Sequence, residues 1–125
     1  MNDVYDLVNS KHIPKDFKRE FDIHVYFDES TRKEAQELQT KLKARFKADD
    51  LFVGYLLDKP VGPHPIAMFE CNFQEPLFQE VVLWLMKERG NLNILVHPLT
   101  GDDYKDHTDC AIWLGKSIEL KLEKL

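Results

Sequence analysis

At 125 residues, 43% hydrophobic and 31% charged, the chain has the size and make-up of one globular domain that can bury a core without disulfide staples. A net charge of −5 and a pI near 5.5 argue against a nucleic-acid partner, because phosphate binding requires a basic surface. Cys71 and Cys110 form no CxxC pair, and residues 1–15 hold no apolar run long enough for a signal peptide or a membrane span. A cytoplasmic protein with reduced thiols and no membrane association is the expectation.

Residues 1–20 are polar, lack periodicity and are broken by Pro14, so they are expected to form an arm ahead of a single domain over residues 21–125. In the next segment Ile23, Val25 and Phe27 alternate with Asp22, His24, Tyr26 and Asp28, the period of a strand with one apolar face. Ser30 or Thr31 can cap a helix, and Glu34 stands three residues after Thr31 as in a capping box. Ala35, Leu38, Leu42 and Phe46 then recur at helical spacing and predict that helix over residues 31–47. A strand is expected over 51–57, and the run from Asp58 to Pro65, with three prolines and a glycine, excludes regular structure.

A third strand is predicted over residues 66–73, turning Ala67, Phe69, Cys71 and Phe73 one way and Ile66, Met68, Glu70 and Asn72 the other. A helix over 75–89 buries Phe78, Val81, Val82 and Leu85 and ends at Gly90. A fourth strand covers 92–97. Beyond Pro98 the chain is irregular, with a short apolar stretch at Ala111 to Leu114 and an amphipathic piece from Ile118 to Leu125. The order βαββαβ predicts an α+β, ferredoxin-like sandwich: a four-stranded antiparallel sheet, two helices on one face, and extra C-terminal elements.

Alternation then leaves His24, Tyr26, Met68, Glu70, Asn93, Leu95 and His97 on the face away from the helices, with His24 near His97. That face needs a cover: a partner subunit, the C-terminal tail or a ligand. A homodimer is expected. His64, within Gly-Pro-His-Pro, and His107, within Asp-His-Thr, are the other histidines of interest; His12 falls in the arm. Imidazole suits iron, zinc, copper and nickel. His24 and His97 would supply two ligands and His64, on its proline-braced loop, or Glu70 a third. Each histidine taken singly also fits a structural role, and no HExxH or HxH spacing is present. Tyr26 stands ready to stack on an aromatic substrate or to meet a partner subunit. Asp106 beside His107 would favour its protonated form.

Several strings stand out along the chain: Ile23-His24-Val25-Tyr26-Phe27, Val61-Gly62-Pro63-His64-Pro65, Trp84-Leu85 followed by Arg89-Gly90, Leu95-Val96-His97-Pro98-Leu99-Thr100-Gly101, Asp106-His107-Thr108 and Trp113-Leu114-Gly115. In their order and spacing they resemble the DOPA 4,5-dioxygenase family, small single-domain enzymes of fungal pigment formation and their bacterial homologues. The resemblance implies extradiol ring cleavage of L-DOPA or a related catechol by dioxygen with non-haem iron(II), zinc or nickel being able to take its place in purified material. It implies His24, His64 and His97 at the metal and His107 in proton transfer, with Tyr26 beside them; Glu70 or His107 as third ligand is the alternative, with His64 then on the substrate. Two competing readings are a non-catalytic, dimeric ligand-binding module and a metal-free oxygenase or isomerase using His24 or His107 as base.

Overall fold

The computed structural model describes residues 19–125; residues 1–18, which include His12 and nearly all of the expected arm, lie outside the described residues. Five strands form one antiparallel sheet in the order β2-β3-β1-β4-β5: β1 (Phe21–Tyr26), β2 (Leu51–Val53), β3 (Met68–Phe73), β4 (Asn93–Pro98) and β5 (Ile112–Leu114). The first four take the split βαβ order, with β1 between β3 and β4. The fifth corrects the expected four-stranded sheet. The apolar stretch after Cys110 is too short to pack alone, and it pairs with the exposed edge of β4 through Leu95↔Trp113.

Helices α1 (Arg32–Arg45) and α2 (Phe78–Glu88) cover one sheet face. Ala35, Leu38 and Leu42 of α1 and Val81 and Leu85 of α2 pack in one buried cluster with Ile23, Val25, Phe69, Phe73, Ile94 and Val96. These strand residues are the alternate positions of β1, β3 and β4, so period-2 patterning in the strands and period-3.6 patterning in the helices meet in the same core. The capping box does not form. Thr31 exchanges hydrogen bonds with Asp28, and the Glu34 carboxylate accepts the Asn91 amide instead. Glu34 therefore ties α1 to the turn after α2, where Gly90 has φ 58°. Pro76 keeps the first part of the second helical segment as a 3-10 turn, Glu75–Leu77, before α2 begins.

The opposite sheet face is covered as well. Residues 54–67 fold back over it, with Leu57 bridged to Met68. The segment after β5 crosses it too, and the Lys121 amide donates to Pro63 O at 2.8 Å, clasping tail to loop. Tyr26, Met68 and Leu95 are buried beneath Leu57, Val61, Trp113, Ile118 and Leu120. The C-terminal tail is among the covers expected from the sequence, and the loop over residues 54–67 joins it. A four-residue helix, α3 (Asp103–Asp106), follows β4. Cys71 is buried and Cys110 exposed, both as free thiols. Among the described residues no helix is long and apolar enough to cross a membrane.

Candidate metal centre

The covered face is polar where the other is oily. Asp22, His24, His64, Glu70, Asn72 and His97 are each 0–2% exposed. Burying so many polar groups is unfavourable unless each finds a partner, so their concentration at one place marks a site. Sheet register creates it. Asp22, His24 and Tyr26 share a face of β1; Asn72, Glu70 and Met68 stand opposite them on β3, and His97, Leu95 and Asn93 on β4. His97 pairs directly with Asp22, one step diagonal to His24.

The His24 and His97 Nε2 atoms are 3.0 Å apart, and Asp22 Oδ2 lies 4.0 and 3.8 Å from them. His64 enters from the loop, its ring centroid 4.1 Å from that of His24. His107, at the end of α3, brings its ring 4.1 Å from His97. The resemblance implies His64 close to His24, and the two lie together: β3 begins only at Met68, and the loop before it, turned by the His64 amide on Val61 O at 3.0 Å, sets the imidazole beside His24.

Three of the rings are oriented from behind. His97 Nδ1 donates to Pro98 O at 2.8 Å and His107 Nδ1 to Asp103 O at 2.7 Å, because a carbonyl can only accept. Both rings therefore present an Nε2 lone pair. Tyr26 Oη lies 2.7 Å from His64 Nδ1. Burial, then the Glu70 carboxylate, push the phenol well above its ordinary value of 10.0, so it keeps its proton and is able either to donate to His64 Nδ1 or to accept from it. Where Tyr26 donates, His64 carries its own proton on Nε2; where Tyr26 accepts, His64 Nε2 is a lone pair. Burial, then the neighbouring His107 and His97, hold His64 down at about 3. Burial lowers His24 as well, followed by His64, His97, His107 and Arg19. The imidazoles of His24 and His64 are neutral at physiological pH.

These residues fit a metal ion. Two nitrogens bound to one ion at about 2.0–2.1 Å lie roughly 3 Å apart when their bonds are near perpendicular, which is the His24–His97 spacing. His24 Nδ1 is buried with no hydrogen-bond partner, as expected of a ring whose protonation is settled by something other than its protein neighbours. Two groups have donor atoms close enough to share an ion, His24/His64/His107 and Asp22/His24/His97. They overlap at His24. Asp22 is the ligand candidate that sequence reasoning misses, although its parity with His24 on β1 is an available signal.

Other sequence candidates do different work. Tyr26 is 2% exposed and stacks on Trp113 at 5.8 Å, so it offers no open face to a substrate. Asp106 accepts from the Thr100 amide and hydroxyl at 2.9 and 2.6 Å; it holds the turn that carries His107 rather than pairing with the imidazole. Glu70 lies on the Nδ1 side of His24, with Oε1 3.6 Å away. A shallow cavity of about 440 Å³ opens beside His107 and Trp113, edged by Ile118, Leu120 and Glu119.

The fold and this cluster define a small α+β domain built around a metal-capable set of imidazoles and a carboxylate. The sequence profile of the Dopa 4,5-dioxygenase family matches residues 21–124, and the chain belongs to that family. It is 35% identical over 114 residues to a protein of Amanita muscaria named DOPA 4,5-dioxygenase, covering 86% of this chain and 50% of that protein. It is 36% identical over 113 residues to an uncharacterised 21.2 kDa protein of Botryotinia fuckeliana, covering 82% of this chain and 61% of that one. The chain thus spans between half and about three-fifths of the length of these curated relatives. A crystal structure of a candidate dioxygenase from Nostoc punctiforme superposes with a TM-score of 0.79 at 43% identity, covering 84% of this chain and 89% of that one.

Proposed function

We propose that the protein is an extradiol dioxygenase that opens the ring of L-DOPA or a related catechol with non-haem iron(II). The observation that carries this reading is the convergence of four imidazoles on one buried point, with the two Nε2 atoms of His24 and His97 at 3.0 Å. His24, His97 and Asp22 hold the metal in this proposal, two histidines and a carboxylate offered by adjacent central strands. Iron(II) held there would supply a redox-active Lewis acid through which the catechol could pass electrons to dioxygen.

The remaining histidines handle a proton and orient the reactants. His107 offers a lone pair on Nε2 at the edge of the cavity and takes the catechol proton. His107 then returns that proton as the O–O bond breaks, while His64, held at Nδ1 by Tyr26, orients the reacting oxygens. Tyr26 is therefore a positioning residue that holds the His64 ring. Trp113, Ile118 and Leu120 give the cavity an apolar wall suited to a flat ring. A second reading, with His24, His64 and His107 as a three-histidine metal site, is favoured by their mutual proximity. It requires the Tyr26 hydroxyl to accept rather than donate.

The test is anaerobic loading with iron(II), then L-DOPA and air, followed by absorbance and mass. A ring-opened product heavier by two oxygen atoms is expected. His97→Ala is expected to lose both bound metal and product. Wild-type protein that takes up no metal and turns over no catechol would overturn the proposal in favour of a ligand-binding module.

A further inference from the structure

Beneath the imidazoles lies a row of three buried side chains, two of which the proposed reaction does not use directly. Asn72, fully buried on β3, donates from Nδ2 to Asp22 Oδ1 and, at 3.3 Å, to Glu70 Oε2. Each carboxylate gives one oxygen to Asn72 and turns the other toward a histidine. Asp22 Oδ2 faces the Nε2 atoms of His24 and His97, and Glu70 Oε1 faces His24 Nδ1. Sheet register fixes the second pair, since Glu70 stands directly across from His24.

The proton count on His24 is where these contacts conflict. His97 spends its Nδ1 proton on Pro98 O, so its Nε2 is a lone pair. A neutral His24 can satisfy that lone pair only by carrying its proton on Nε2. Its Nδ1 is then a second lone pair, aimed at the Glu70 carboxylate 3.6 Å away and without a hydrogen-bond donor. With a cation between the two Nε2 atoms the conflict disappears. Both Nε2 lone pairs would then serve the ion, and the His24 proton would stand on Nδ1, facing a Glu70 oxygen that closes from 3.6 Å to accept it.

We propose that Glu70 is a positioning residue that selects the metal-binding tautomer of His24 by accepting its Nδ1 proton. The inference rests on the reading of this site as a metal centre. Glu70 is not itself a ligand, because it sits on the opposite edge of the imidazole from Nε2 and belongs to neither donor group able to hold an ion. Its partner Asn72 keeps Oε1 aimed at the ring by occupying Oε2. A carboxylate behind a ligating imidazole orients the ring and raises its basicity, and losing it weakens metal binding by about 10–100-fold.

The discriminating variant is Glu70→Gln in the full chain, because an amide can donate to a bare Nδ1 and so favours the other tautomer. Calorimetric titration with zinc(II), and anaerobically with iron(II), should show affinity about 10–100-fold weaker than wild type at unchanged stoichiometry. Without metal, the variant should melt at or above the wild-type temperature, since the conflict is relieved; a purely structural Glu70 would give a lower one. Equal affinity, a metal-free melting temperature clearly below wild type, or binding abolished as fully as in His24→Ala would each overturn the inference. A wild-type chain that binds neither metal would defeat the metal-centre reading and this inference together. A wild-type chain that binds, beside a variant that binds equally, defeats this inference alone.

Discussion

Tyr26 holds, through one hydroxyl, the ring of a residue thirty-eight positions away. Its ring is held by Trp113, so Tyr26→Phe should leave the packing in place and remove only the hydroxyl behind His64. The cost is that of a buried nitrogen left unpaired, about 1–3 kcal/mol in a denaturant melt. Turnover should fall while bound metal stays at the wild-type level; loss of metal instead would move His64 into the ligand set. At this scale the sequence is partly legible. Strand parity alone brings His24 and His97 onto one face, since it needs only local alternation and the antiparallel register. The position of His64 is not legible, because it depends on the path of a loop whose direction no periodicity encodes. Asp22 escapes notice because an acid at the start of a strand is usually solvated, and only the cover supplied by distant segments makes it buried.

Elements are clearer where burial is one-sided. The stripes of α1 and α2 and the alternation of β1, β3 and β4 are visible because each meets a single core. The fifth strand is not, since three residues carry too little pattern to separate a strand from an apolar turn. The Thr31–Glu34 spacing points to a capping box, yet Glu34 gains more by accepting the Asn91 amide across the domain. That exchange makes Gly90 a joint as well as a helix end. Its φ is 58°, and a Cβ there would run into the Glu34 carboxylate. Gly90→Ala should therefore cost about 1–2 kcal/mol from the left-handed backbone alone, which lowers the melting temperature by roughly 4–8 °C. Metal affinity should not change, because the joint lies on the helical side of the sheet.

For the molecule as a whole, the buried imidazoles make stability depend on pH in a definite sense. In the unfolded chain a histidine titrates near 6.5; in the fold His64 is held at about 3, and His24 is lowered as well. Below 6.5 the unfolded chain takes up protons that the folded chain refuses. The contribution is thus complete above 6.5 and is lost as pH falls toward the folded values, by up to about 1.4 kcal/mol per pH unit for each proton withheld. Melts of the metal-free protein at pH 7.5, 6.5 and 5.5 should show falling stability over the lower interval, and a flat profile would mean the rings are protonated in the fold. Metal binding should weaken over the same interval, because protons and the ion compete for the same lone pairs.

The centre is shared between two kinds of support. Asp22, His24 and His97 ride on β1 and β4, within the sheet, whereas His64 and His107 hang from a loop and a four-residue helix. Amide hydrogen exchange should separate the two. Backbone protons of Ile23 to Tyr26 should exchange only when the whole domain opens, while those around Gly62 to His64 and after Gly101 should exchange through local openings of far lower cost. An ion or a substrate would then come and go by the lifting of the loop side, with the strands that carry Asp22, His24 and His97 never parting.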